Sequence, residues 1–436
     1  MSLNLHDLKQ KAIKAIDDNR DKIIAVGDSI FSEPELGYKE FLTSEKVKKV
    51  FDDLGLSYRS EIALTGVIAP LKGKESKVKI AVMGELDAVA VSGHPNADPV
   101  TGAVHACGHN CMIAALVGVA YALSGTGIMD ELFGDVILMA VPAEECVEME
   151  YRKELKKQGK VRFLGGKQEF IKLGEFDDID IMLMQHNVVF RDDKLASAGN
   201  KYNGFTGRLI RYKGKAVHAG GAPHRGINAL NAATLGLQAI AMQRETFKDD
   251  DNIRVHSIMT KGGDLVNIVP DDIRLELMVR GANLEAIKDA AGKVDRALQA
   301  GADAIGAEVE IEEVIGYLPV RPNYDLMDIM FENQKTLLGE DHVIYEAEKT
   351  SASTDAGDVS ALIPTLHALF GGCTGDLHSV DFKINDKDTA YITTAKALVM
   401  TVIDLLYDNA SAALKVKENF HALMSKEQYL KDWGKM

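Results

Sequence analysis

Asp135-Val-Ile-Leu-Met-Ala-Val141-Pro-Ala-Glu144-Glu145 is an unbroken apolar run that ends, three residues on, in two adjacent carboxylates. A strand covered on both faces reads this way, because neither side of it meets water and the polar/apolar alternation of a half-exposed strand disappears. Lys79-Ile-Ala-Val-Met83, the segment 179–184 and Leu366-His-Ala-Leu-Phe370 share the pattern. The expected architecture is therefore α/β, with a largely parallel central sheet under helices. Met112-Ile-Ala-Ala-Leu-Val-Gly-Val-Ala-Tyr-Ala-Leu123 is apolar nearly all round, as befits a helix buried against that sheet.

Toward the N-terminus, amphipathic helical patterns run from about Leu5 to Phe31 and from Lys39 to Leu54, followed by the strand-like Gly66–Leu71. The middle of the chain has another texture. Between Gly199 and Tyr317 polar and apolar residues alternate, as on a one-sided antiparallel sheet. Strands are expected at 206–213, 253–261, 272–280 and 307–314, with helices at 228–244 and 284–299. That order, βαββαβ, is a ferredoxin-like sandwich. The division is a discontinuous domain, 1–198 with 318–436, ending in helices from about Asp388, and an inserted domain, 199–317. A chain of 436 residues is long enough for two cores.

Lys and Arg total 50 against 65 Asp and Glu, a net charge of -15, which argues against nucleic acid or an anionic membrane and for a small-molecule substrate. Cys107, Cys111, Cys146 and Cys373 form no disulfide framework, and no signal peptide is evident, so the expected setting is a reducing cytoplasm. Lys248-Asp-Asp-Asp251 reads as a solvated loop.

Polar clusters follow the ends of the apolar strands, where open α/β sheets bind their ligands. Glu85-Leu-Asp87 follows the first, Glu144-Glu145 the second, His186 the third and His378 the fourth, so four segments would meet at one rim. His105-Ala-Cys107-Gly-His109-Asn enters the buried helix at its positive end, where a thiolate is favoured. Cys, His and carboxylate are ligands for divalent transition metals, and a spare carboxylate is a base toward water. Adjacent carboxylates repel unless a cation neutralises one, which favours Glu145 as ligand and Glu144 as general base. The structural alternatives are Cys107 as a small core residue with His109 as a cap, Glu144 and Glu145 as surface acids, and His186 as a core histidine. His94 and His105 read as structural.

In the inserted domain, Gly214-Lys-Ala-Val-His218-Ala-Gly-Gly is a glycine-rich loop from which His218 can reach a substrate. Asn267, in Gly262-Gly-Asp-Leu-Val-Asn267-Ile-Val-Pro270, and Arg280 offer an amide and a guanidinium for a carboxylate or oxyanion.

Taken together these motifs resemble the co-catalytic metallopeptidases and amidohydrolases that include aminoacylase and carboxypeptidase. The closer likeness is to the hippurate hydrolase and auxin-conjugate hydrolase branch. Gly84-Glu-Leu-Asp-Ala88, Gly165-Gly-Lys167, 223–229 and Ser353-Thr-Asp-Ala-Gly-Asp-Val-Ser360 are most similar to aminobenzoyl-glutamate hydrolase and related dipeptidases. The resemblance implies a zinc-peptidase-like domain holding two divalent ions, zinc or manganese first, cobalt or nickel next. It also implies a ferredoxin-like lid that dimerises. Its metal ligands would be Cys107, His109, Glu145, His186 and His378; Glu144 would be the base, with Asp87 in a catalytic role. His218 would approach the partner subunit's site, and Asn267 and Arg280 the substrate carboxylate. The implied reaction is hydrolysis of the amide of an N-acyl amino acid, an aminobenzoyl-glutamate-like conjugate or a dipeptide. The competing readings are a binding protein without turnover and a cysteine amidase using Cys107. The chain departs from the wider family in having Glu85 where a metal-binding histidine is usual, and from close relatives in Asn187 after His186 and a basic helical segment at 151–161.

Overall fold

A computed structural model describes residues 3–433. Of these, one compact unit comprises residues 3–200, Arg321–Glu348 and Asp358–Leu430; a second comprises Lys201–Val320 and Lys349–Gly357, with residues 431–433.

The first unit is built on an eight-stranded sheet in the order Arg59–Ile62, Gly66–Leu71, Asp135–Val141, Lys79–Glu85, Ile181–Asn187, Thr365–Phe370, Ala196–Gly199, Val343–Glu346. The four central strands are mutually parallel, and antiparallel pairings occur toward both edges. Asp135–Val141 is buried at every position, and Lys79–Glu85 at every position but the first. The helix His109–Leu123 is buried everywhere except Tyr121, and so packs as a central rod against the sheet. It begins one turn earlier than its apolar run because His109 and Asn110 are themselves buried. The long N-terminal helical pattern is two helices, Leu5–Asp18 and Arg20–Ser32, broken at Asn19, whose side-chain amide donates to the Ala15 carbonyl. The helical run Asp388–Asn419 is long and apolar enough to cross a membrane by length and composition, yet it lies mostly buried in the core.

The second unit carries a four-stranded antiparallel sheet in the order Arg254–Lys261, Asp272–Gly281, Gly204–Lys213, Glu308–Val314. The helices Ala229–Met242 and Leu284–Ile305 cover one face through Ile210, Tyr212, Leu275, Leu277, Val294 and Leu298. With strand order 4-1-3-2 this is the ferredoxin-like βαββαβ sandwich. The second helix continues six residues past the expected Gln299 to Ile305, because Gly301 and Ala302 continue its buried stripe until Gly306 adopts a left-handed cap. Asp249–Asp251 forms one exposed helical turn.

Candidate metal centre

All four central strands end at the same edge of the sheet, and each delivers a polar side chain there. Glu85 is the last residue of its strand and Asp87 lies two beyond; His186 is the penultimate residue of its own. The main chain then holds the rest. Gly108 takes a left-handed conformation at the head of the buried helix, with φ +85, and a Cβ there would crowd Asn187. The His378 N–H donates to the Ala106 carbonyl at 2.9 Å, tying its loop to that of Cys107. Asn187 stays in the strand, and its side-chain amide donates to the Gly371 carbonyl at 3.0 Å. The departure at this position thus supports the turn that leads to His378.

Cys107 is the meeting point of two groups of potential ligands. Its Sγ lies 3.3 Å from His186 Nε2 and 3.2 Å from His378 Nε2, while His378 Nε2 lies 2.9 Å from Glu145 Oε1. Donor atoms of Cys107, His109 and His186 fall within 4.8 Å of one another, as do those of Cys107, Glu145 and His378, and those of Glu85, His109 and Glu144. Two of these triads share the sulfur. A metal fits this donor set: Glu85 Oε2, Asp87 Oδ1 and Glu145 Oε1 are buried and face imidazole nitrogens of His109 and His378, which are themselves potential ligands. Several such lone pairs converging away from water are costly unless a cation joins them. Burial, with Glu145 adding to it, pushes the Cys107 thiol well up. His109 pulls it back, and a bound cation would yield the thiolate outright.

Lys167 is completely buried, and its ammonium lies 2.5 Å from Glu85 Oε1. Burial opposes ionisation of Glu85, but the charge of Lys167, aided by His109 and His186, brings its carboxyl down to about 2. His186 and His367 stack at 6.2 Å between ring centroids, and burial lowers them to about 4 and about 3. His94 is structural, its Nε2 2.9 Å from the Phe382 carbonyl. His105 is buried with neither ring nitrogen hydrogen-bonded, and burial lowers it to about 3. Lys167, His367, Glu40 and Arg152 all border the site, and the sequence did not single them out for it.

The second unit brings together two of its three expected residues. The Ala219 N–H donates to the Asn267 carbonyl at 2.9 Å, and His218 pairs with Ile268. The N–H groups of Gly220 and Gly221 donate to His218 Nδ1, which leaves the proton on Nε2, and the ring is exposed. Arg280 is elsewhere. It sits at the far end of the strand Asp272–Gly281, donating to Ser353 Oγ at 3.0 Å. Eight residues of strand at about 3.3 Å each put it roughly 26 Å from the Asn267 end. Asn267 and Arg280 of one chain therefore do not share one carboxylate.

The profile of the peptidase family M20/M25/M40 matches residues 81–404. The mouse Xaa-Arg dipeptidase is 29% identical over 97% of this chain and 94% of its own length. Among solved structures, a putative aminohydrolase from methicillin-resistant Staphylococcus aureus superposes with a TM-score of 0.76 at 19% identity, over 91% of this chain and 100% of that one. A dinuclear metal-binding M20 peptidase from Bacillus subtilis superposes at 0.67 and 22% identity, over 89% and 99%.

Proposed function

The chain belongs to peptidase family M20/M25/M40, and from that membership we propose that it hydrolyses the amide of a dipeptide or N-acyl amino acid, with Glu144 as the base. One observation carries the reading: two ligand triads share the Cys107 sulfur, and the Glu144 carboxylate reaches within 4.8 Å of His109 beside them.

Cys107, His109 and His186 would hold one divalent ion, and Cys107, Glu145 and His378 the other; zinc or manganese suits this mixture of thiolate, imidazole and carboxylate, with cobalt or nickel next. When bound, such ions acidify a water and polarise the scissile carbonyl. Glu144 takes the proton from the attacking water and returns it to the departing amine. Asp87 accepts the Glu145 N–H at 2.9 Å and faces His109, so it orients both sides of the site. His218, with its proton on Nε2, donates to the developing oxyanion. The separation of Arg280 from His218 and Asn267 favours a homodimer in which the last two serve the neighbouring subunit. The edge strand Arg254–Lys261, with Ile258 and Met259 exposed, offers an unpaired ladder for such a contact. The free cysteines fit a reducing, cytoplasmic setting. A cysteine amidase is disfavoured, since a nucleophilic thiol needs its pKa lowered and burial raises that of Cys107.

The test is a panel of Xaa-Arg and β-alanyl dipeptides, aminobenzoyl-glutamate and hippurate, assayed with defined metals. Cleavage of at least one is expected, and Glu144→Gln should keep its metals yet lose about a hundred- to ten-thousandfold in turnover. A variant that turns over near the normal rate would remove Glu144 from the mechanism.

A further inference from the structure

The basic helix Met149–Lys157 follows directly on the Glu144-Glu145 turn, and the scheme above gives it no task. Leu155 and Arg152 point inward, and only Arg152 carries a charge there. Arg152 is fully buried, whereas Glu154, Lys156 and Lys157 around it are exposed. A buried guanidinium costs several kcal/mol unless its N–H groups are matched, and here main-chain carbonyls accept from Nη1 and Nη2. Nη1 donates to the Leu164 carbonyl at 2.6 Å and reaches that of Ala143 at 3.4 Å; Nη2 donates to the Glu145 carbonyl. Its Cζ lies 5.4 Å from the centre of the Tyr38 ring, and a Cβ at Gly37 would overlap Nη2, so the neighbouring loop is shaped to admit it.

The same turn is gripped from other directions. Glu40 Oε1 accepts the Ala143 N–H at 2.8 Å, and Asp87 Oδ2 accepts the Glu145 N–H at 2.9 Å. Ala143 needs the help, because its φ of +59 is a left-handed conformation that costs a non-glycine residue about 1–2 kcal/mol. Fixing the peptides on either side of Glu144 also fixes the direction in which Glu144 and Glu145 project.

We propose that Arg152 is a positioning residue, whose guanidinium locks the main chain of 143–145 so that base and ligand converge on one point. The catalytic half of this rests on Glu144 being the base; the metal-binding half does not. A misplacement of about 1 Å in such a site lowers rates by up to a hundredfold.

The experiment uses the full chain with Arg152→Met, measuring manganese and zinc affinity by titration with the metal alone, together with kcat and KM on a cleaved dipeptide. The expected result is a folded protein whose kcat falls about ten- to a hundredfold with KM within threefold, and whose weaker ion binds roughly tenfold less tightly. Added guanidinium ion, which fits the vacated space, should restore part of kcat. Wild-type kcat and metal affinity would overturn the proposal, as would a loss that merely follows the folded fraction. If Arg152→Met does not fold, Arg152→Lys decides: an ammonium cannot span carbonyls on Glu145 and Leu164 together, so kcat should drop at least about fivefold, and unchanged kcat and affinity would refute the role. A wild-type protein that cleaves nothing in the panel would instead sink the Glu144 reading, leaving the metal titration to judge Arg152.

Discussion

Glu85 Oε2 lies 3.0 Å from His109 Nε2, and both residues are buried. The other ring nitrogen, Nδ1, lies 2.9 Å from the Asp87 carbonyl oxygen, which can only accept. Burial opposes a charge on His109, but the Glu85 carboxylate holds the ring well above its usual range, so both nitrogens donate when no metal is bound. A divalent cation at Nε2 would take the place of that proton.

Chelation should therefore cost stability as well as activity. A ligand present at about a hundred times its dissociation constant contributes roughly 2.7 kcal/mol, so thermal unfolding in excess chelator should fall by several degrees and recover on adding manganese or zinc. An unchanged melting temperature after verified removal of metal would contradict the site.

Lys167 and Glu85 stand or fall together. Removing one partner of a buried ion pair leaves an uncompensated charge and costs about 3–5 kcal/mol, so Lys167→Met alone should be strongly destabilised in the metal-free protein. Adding Glu85→Gln should recover most of that loss, because both groups are then neutral. Denaturant unfolding of the two singles and the double closes the cycle, and additive losses would show that the pair is not coupled.

The architecture was legible because burial on both faces writes itself into composition: Asp135–Val141 and Lys79–Glu85 could be read as central parallel strands from their unbroken apolar runs. The gathering of Asp87, Glu145, His186 and His378 at one rim followed from the rule that ligands gather at the ends of such strands, while Cys107 was read at the head of the buried helix. What pairs across the fold left no local trace. Lys167 stands 82 residues from Glu85, and nothing in either neighbourhood announces the other. Arg152 reads as one more charge on a basic helix, since its burial depends on carbonyls that only the folded turn supplies. Arg280 reads beside Asn267 because the two follow on neighbouring segments and offer complementary donors, and only the strand register puts Arg280 at the end of Asp272–Gly281 away from Asn267.

Cys107 is shared by both ligand triads, so its loss should differ in kind from the loss of a single histidine. Cys107→Ser replaces a sulfur that a dication readily deprotonates with a hydroxyl that it does not. Metal analysis after equilibrium dialysis should find fewer than one ion per chain in Cys107→Ser, against about one in His186→Ala and two in the wild type. Two tightly held ions in the serine variant would break the shared-sulfur arrangement.

Glu40 supplies a pH dependence of its own. It is fully buried, accepting the Thr65 hydroxyl at 2.7 Å and the Ala143 N–H at 2.8 Å. Burial, and then the charge of Asp87, push its carboxyl up to about 7. A carboxyl whose folded value is raised stabilises the fold fully below its unfolded value, near 4.3, and loses that contribution as the pH rises through about 7. In the metal-free protein, Glu40→Gln mimics the protonated form and still offers an oxygen to the Ala143 N–H. It should match the wild type near pH 4.5 and exceed it by about 1–3 kcal/mol at pH 8. Unfolding free energies measured across this range decide the matter. A difference that stays constant with pH would mean that Glu40 titrates alike in the folded and unfolded chains.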